Sequence, residues 1–126
     1  MPRVYIVDDD APVRKALKRL VRVAGYDVEV FASAEEYLER EPVEEPACLV
    51  LDMRMPGMSG PELQRAVEGT PLYLPTVFIT GHADGSDREQ ALADGAIEVL
   101  DKPVDVPTLL DAIDRALERA RKLTSK

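Results

Sequence analysis

A formal charge of -8 on 126 residues, with a pI near 4.7, excludes broad binding to nucleic-acid phosphates by this segment and fits a protein whose acidic sites take up cations. The length suits one domain, and 45% hydrophobic residues can fill its core. With 5% aromatics and no Trp, that core must be mostly aliphatic.

Along the chain, five short apolar runs alternate with helical patterns. The first, "RVYIV" (3–7), is nearly continuously apolar and reads as a strand buried on both faces. It empties into Asp8, Asp9 and Asp10, three adjacent carboxylates that repel one another. Asp10 before Pro12 is a sound N-cap for a helix over 11–24, where Val13, Leu17, Leu20, Val21 and Ala24 share a face. Gly25 ends that helix, and Arg14, Lys15, Lys18, Arg19 and Arg22 fill its other faces. They read as a solvated face or as part of a docking surface.

The second run, "YDVEV" (26–30), alternates, as an edge strand does. Ser33 and Glu36 then open a second helix at capping-box spacing, and "EREPVEEPA" (39–47) is a polar, Pro-punctuated loop. The third run, "CLVL" (48–51), holds the chain's single cysteine, Cys48, which reads as a small core residue. One cysteine excludes an internal disulfide framework and fits a reducing compartment. Asp52 ends this strand. Ser59 and Glu62 open the third helix, "TVFI" (76–79) is the fourth strand, ending in Thr80 and Gly81, and Ser86 with Glu89 is expected to cap the fourth helix. The fifth run, "IEVL" (97–100), alternates like an edge and leads into Asp101, Lys102 and Pro103. Asp105 before Pro107 caps the last helix, whose stripe is Leu109, Leu110, Ile113, Ala116, Leu117 and Ala120.

Five strands alternating with five helices predict an α/β fold, a (βα)5 flavodoxin-like three-layer sandwich with a parallel sheet in the order 2-1-3-4-5. Residues 1–122 are read as one domain and 123–126 as a tail or the start of a linker. No apolar run approaches the ~20 residues of a membrane span, and "MPRVYIVDDD" lacks a signal-peptide pattern, so the expectation is a cytoplasmic protein with no membrane contact.

Ligands of such sheets bind beyond the carboxyl ends of the strands. Asp8, Asp9, Asp52, Thr80 and Lys102 all lie at those ends and converge on one crevice in the expected strand order. Three carboxylates with a hydroxyl and an ammonium suit Mg2+, which takes oxygen ligands and offsets carboxylate repulsion. A carboxylate at a strand end can also be a nucleophile toward phosphorus, with Mg2+, Lys102, Thr80 and the backbone N–H groups near Gly81 receiving the new oxygens.

In order and spacing, "IVDDD", "LVLDMRMPGMSG", "FITGHA" and "VLDKP" resemble the receiver domain of two-component response regulators, over essentially the whole chain. "RMPGMSG" and "ITGHA" are most like the FixJ-type subgroup. The resemblance implies that Asp52 is the phosphoacceptor, that Asp8, Asp9, Asp52 and the backbone carbonyl of Arg54 hold Mg2+, and that Thr80 and Lys102 engage the phosphoryl group. It also implies a cis peptide before Pro103. Arg54 and His82 occupy positions that border the phosphoryl site and influence phosphate lifetime, and the charge of Asp10 adds to the pocket's field. The implied partner is a sensor histidine kinase. The implied output is a change at the helix 4–strand 5–helix 5 face, with homodimerisation there and transcriptional control through a DNA-binding domain that these 126 residues do not contain. The domain would catalyse only its own phosphorylation and dephosphorylation.

One position departs from the pattern. Receivers often carry Tyr or Phe three residues before the Lys, and here Val99 stands there. A Val has no ring to swing between buried and exposed positions. This leaves open an alternative reading, a receiver-like interaction module that works without phosphorylation. A Mg2+-dependent phosphatase with an Asp nucleophile would need an acid where Arg54 stands, and a flavodoxin-like carrier would need a phosphate loop where "DDDAPV" stands.

Overall fold

Every strand and helix expected from the alternation is present in the computed structural model, which describes residues 2–81 and 84–124. The order is β1 Arg3–Val7, α1 Ala11–Val23, β2 Asp27–Phe31, α2 Ala34–Leu38, β3 Ala47–Asp52, α3 Gly60–Val67, β4 Thr76–Thr80, α4 Gly85–Ala93, β5 Glu98–Asp101 and α5 Val106–Thr124. The strands form one parallel sheet in the order β2-β1-β3-β4-β5. The central strands β1, β3 and β4 are buried almost throughout, while the edges β2 and β5 alternate. That contrast is why the edges differed in the sequence: only a strand flanked by two others and covered on both faces must be apolar at every position.

Alternating side chains feed two cores. Val4, Ile6, Cys48, Val50, Val77 and Ile79 face α1 and α5. Tyr5, Val7, Leu49, Leu51, Phe78 and Val99 face the other side, with Leu63 and Val67 of α3. Cys48 is fully buried, and burial pushes its thiol up to about 12, so it is an inert core residue.

The helix ends follow the local chemistry, with two departures. Asp10 caps α1, accepting from the Val13 N–H at 3.2 Å. At its other end Gly25 takes φ 104°, donating to Arg22 O at 3.0 Å while Tyr26 donates to Val21 O at 3.4 Å. This left-handed residue is what a Schellman turn requires of glycine. Ser59 and Glu62 close a full capping box on α3. On α2 the box is only half made: Ser33 Oγ accepts from Glu36 N–H, but the Glu36 carboxylate accepts from Ala32 instead. The expected Ser86 cap is overturned. Asp84 caps α4, with Oδ1 accepting from the Asp87 N–H at 2.9 Å and the Ser86 hydroxyl at 2.8 Å. The backbone leaves its extended conformation at Asp84, so Ser86, two residues on, already lies inside the first turn and cannot be the cap.

Helix α5 continues to Thr124, into the residues read as a tail. Among the described residues no helix is long and apolar enough to cross a membrane.

Candidate functional site

At the carboxyl end of the sheet, β1 and β3 lie side by side, with Val7 opposite Leu51, so Asp8 and Asp52 follow at one level. Neighbouring β4 places Thr80 one residue beyond the partner of Asp52, and β5 sets Asp101 opposite Thr80. Lys102 follows, tied down by its backbone N–H to Thr80 O at 2.8 Å, and the Lys102–Pro103 peptide is cis.

The charged groups meet there. One carboxylate oxygen from each of Asp8, Asp9 and Asp52 lies within 4.8 Å of the others. Lys102 Nζ sits 3.1 Å from Asp8 Oδ2 and 3.4 Å from Asp52 Oδ1. Asp8 is fully buried, Asp52 nearly so and Thr80 fully, whereas Asp9 is exposed at the rim.

Each buried carboxylate is held by backbone. Asp8 Oδ1 accepts from the Asp10 N–H at 2.9 Å. The Lys102 ammonium stands beside the buried Asp8 Oδ2. Asp52 receives the backbone N–H of Arg54. Even so, burial and then the Asp8 charge push Asp52 up from 3.8 to about 6, against the pull of Lys102. Burial alone would lower Lys102; its pairs with Asp8 and Asp52 outweigh that and raise it.

Three carboxylates against one ammonium leave two surplus negative charges in a largely buried crevice. A donor set of three clustered carboxylates, two of them buried, fits a hard divalent cation such as Mg2+. The residues present therefore fit the ion the crevice was expected to take.

A family model for the response regulator receiver domain matches residues 4–114. The chain belongs to this family. The receiver domain is 40% identical over 119 residues to nodulation protein W of Bradyrhizobium diazoefficiens, covering 94% of this chain and 52% of that protein. It is 39% identical over 115 residues to the transcriptional regulatory protein FixJ of Rhizobium meliloti, covering 91% and 56%. The chain thus spans about half the length of the curated relatives it matches. Among solved structures, the isolated N-terminal part of FixJ superposes with a TM-score of 0.85 at 38% identity, covering 94% of each chain. The response regulator StyR gives 0.87 at 48% identity, covering 96% of this chain and 61% of that one.

The other expected site residues of the receiver domain fall as follows. Asp10 caps α1 and sends its N–H to Asp8. Val99 is buried in β5, opposite Phe78 of β4, so the ring in this region sits on the neighbouring strand and points into the core. His82 lies outside the described residues.

Several contributors were not picked out from sequence. Arg14, read as part of a basic face, donates from Nη1 to Asp8 O at 2.7 Å and so holds the acidic loop from α1. Gly60 lets α3 start against the end of β3: a Cβ there would stand 2.4 Å from Asp52 O and 2.9 Å from Phe78 Cε1. Glu35 Oε2 accepts from the Met58 N–H at 3.1 Å and anchors the "MPGM" turn. No local pattern distinguishes these three, because each acts on a residue brought near only by folding.

Proposed function

We propose that this receiver domain accepts a phosphoryl group on Asp52 from the phosphohistidine of a sensor kinase, and that the resulting charge switches an output surface. The observation that carries the reading is the position of Asp52. It is a buried carboxylate at a strand end, 3.4 Å from an ammonium and grouped with Asp8 and Asp9 in a crevice of excess negative charge.

In the transfer, a carboxylate oxygen of Asp52 attacks phosphorus while the N–P bond of the donor breaks and its electron pair returns to the imidazole. Water later attacks the same phosphorus, releasing inorganic phosphate and restoring the carboxylate. Asp8, Asp9, Asp52 and the carbonyl of Arg54 would hold Mg2+, which when bound supplies the positive charge that lets an anionic donor approach. Lys102 stands within ion-pair distance of Asp52 and pairs with the incoming phosphoryl oxygens. The Thr80 hydroxyl, at the end of the adjoining strand, turns toward them. The phosphoryl group adds about -1.5 to -2 of charge. Its output passes through the α4–β5–α5 face, a candidate homodimer surface, to a DNA-binding segment of the kind that a transcriptional regulator of about twice this length contains. The domain has no substrate turnover beyond its own phosphoryl group.

Acetyl phosphate with Mg2+ tests the reading. Intact-mass spectrometry should show one added phosphoryl group on the wild type, none on Asp52→Asn and none when EDTA replaces Mg2+. Unchanged mass in the wild type favours the phosphorylation-independent interaction module, and equal labelling of Asp52→Asn overturns the assignment.

A further inference from the structure

Helix α4 is attached to the domain differently from the other helices. Of its nine residues only Ala91 is buried. What holds it is largely polar. Arg88 pairs with both carboxylate oxygens of Asp101, at 3.1 and 3.2 Å, and donates to the Val99 carbonyl. Arg65 of α3 stands 3.6 Å from Asp94 at the far end. In the first turn, Asp87 Oδ2 lies 2.8 Å from Arg54 Nη2. A helix held by charge rather than by an apolar stripe responds to new charge nearby, because little buried surface resists its movement.

Arg54 is the attachment that starts at the site. Its backbone N–H bonds to the Asp52 carboxylate, while its guanidinium reaches across a crevice of about 320 Å³ to α4. Met53, Met55, Ser59 and Pro61 line that crevice. The pair is solvated, with side-chain exposures of 63% and 39%. Exposed pairs shift an equilibrium by only about two- to five-fold, so this one is weak enough to be exchanged. A phosphoryl dianion offers the same guanidinium more charge and a bidentate acceptor.

We infer that the Arg54–Asp87 ion pair is a charge-operated latch: a phosphoryl group on Asp52 draws Arg54 off Asp87 and releases the first turn of α4. The inference rests on the aspartyl-phosphate reading and supplies a route to the output face that needs no aromatic at Val99. Arg88, the next residue, keeps α4 tethered to β5 at Asp101, and Arg65 stands by Asp94 at the far end, so the first turn loosens and the helix does not dissociate.

Hydrogen exchange of the α4 amides, read on the same samples as intact mass, tests it. In unphosphorylated protein, Arg54→Ala and Asp87→Asn should each raise exchange of residues 85–93 by about two- to five-fold, and the double variant no further than either. Acetyl phosphate with Mg2+ should bring the wild type to that level and leave the phosphorylated variants unchanged. The latch is overturned if both single variants exchange like the wild type, if their effects add, or if the wild type gains a phosphoryl group without loosening α4. Absence of the mass gain overturns the functional reading and the trigger with it, while the unphosphorylated samples still decide whether the pair holds the helix.

Discussion

Neutralising Asp52 should stabilise the metal-free domain, because the native fold raises this carboxyl from 3.8 to about 6. The difference, at about 1.36 kcal/mol per pH unit, gives a ceiling of about 3 kcal/mol. Relaxation of the acidic crevice takes part of it, leaving roughly 1–3 kcal/mol as the gain for Asp52→Asn at pH 7.5. For a domain of this size that is a rise in Tm of roughly 4–12 °C. The sign follows from which state holds the proton more tightly. A folded-state value above the unfolded one means that the wild type's stability from this group is complete below pH 3.8 and is lost as pH climbs toward and through 6. The gap between variant and wild type should therefore be widest above pH 7, shrink between pH 6 and 4, and nearly close below that. Thermal melts by circular dichroism in EDTA at several pH values measure it. Adding Mg2+ should narrow the gap at pH 7.5 by stabilising the wild type more than the variant. If Asp52→Asn melts at or below the wild type at pH 7.5, or if the gap does not change with pH, the electrostatic account of this crevice is wrong.

Three further outcomes follow from the geometry. Gly60→Ala places a Cβ 2.4 Å from the Asp52 carbonyl oxygen, so urea denaturation should show a loss of about 1–3 kcal/mol, and a loss under half a kilocalorie would mean that α3 yields freely. Asp10→Ala removes the cap of α1 and should cost about 1 kcal/mol in the same assay, whereas a neutral result would show Asp10 to be only a spectator at the rim. Lys102→Ala leaves the Asp8 and Asp52 carboxylates without their ammonium. Labelling by acetyl phosphate should fall sharply and apparent Mg2+ affinity should rise, since a cation has left the pocket; unchanged values for both would detach Lys102 from the site.

Much of this was legible from residue order. Continuous apolar runs mark β1, β3 and β4 because those strands are covered on both faces, and the alternation of β2 and β5 marks them as edges. Once the sheet order is known, the rule that ligands bind beyond the carboxyl ends names Asp8, Asp9, Asp52, Thr80 and Lys102 together. The cap of α4 was misread because Ser86–Glu89 and Asp84–Asp87 are both valid three-residue pairings. Local chemistry does not rank them until the backbone path through residues 84–86 is known.

The sequence by itself determined the element order, the parallel sheet and the residues that gather at one end of it, because each rests on periodicity, on caps or on a spacing set along the chain. Tertiary structure alone decided how those residues are charged and restrained. The shift of Asp52 depends on burial and on a carboxylate forty-four positions away, the grip on Asp8 depends on Arg14 and the Asp10 N–H, and the space beneath Asp52 depends on Gly60. The tie from Arg54 to Asp87 spans thirty-three residues and crosses from one loop to one helix. Such terms vary with distance and dielectric in three dimensions, which no local pattern encodes.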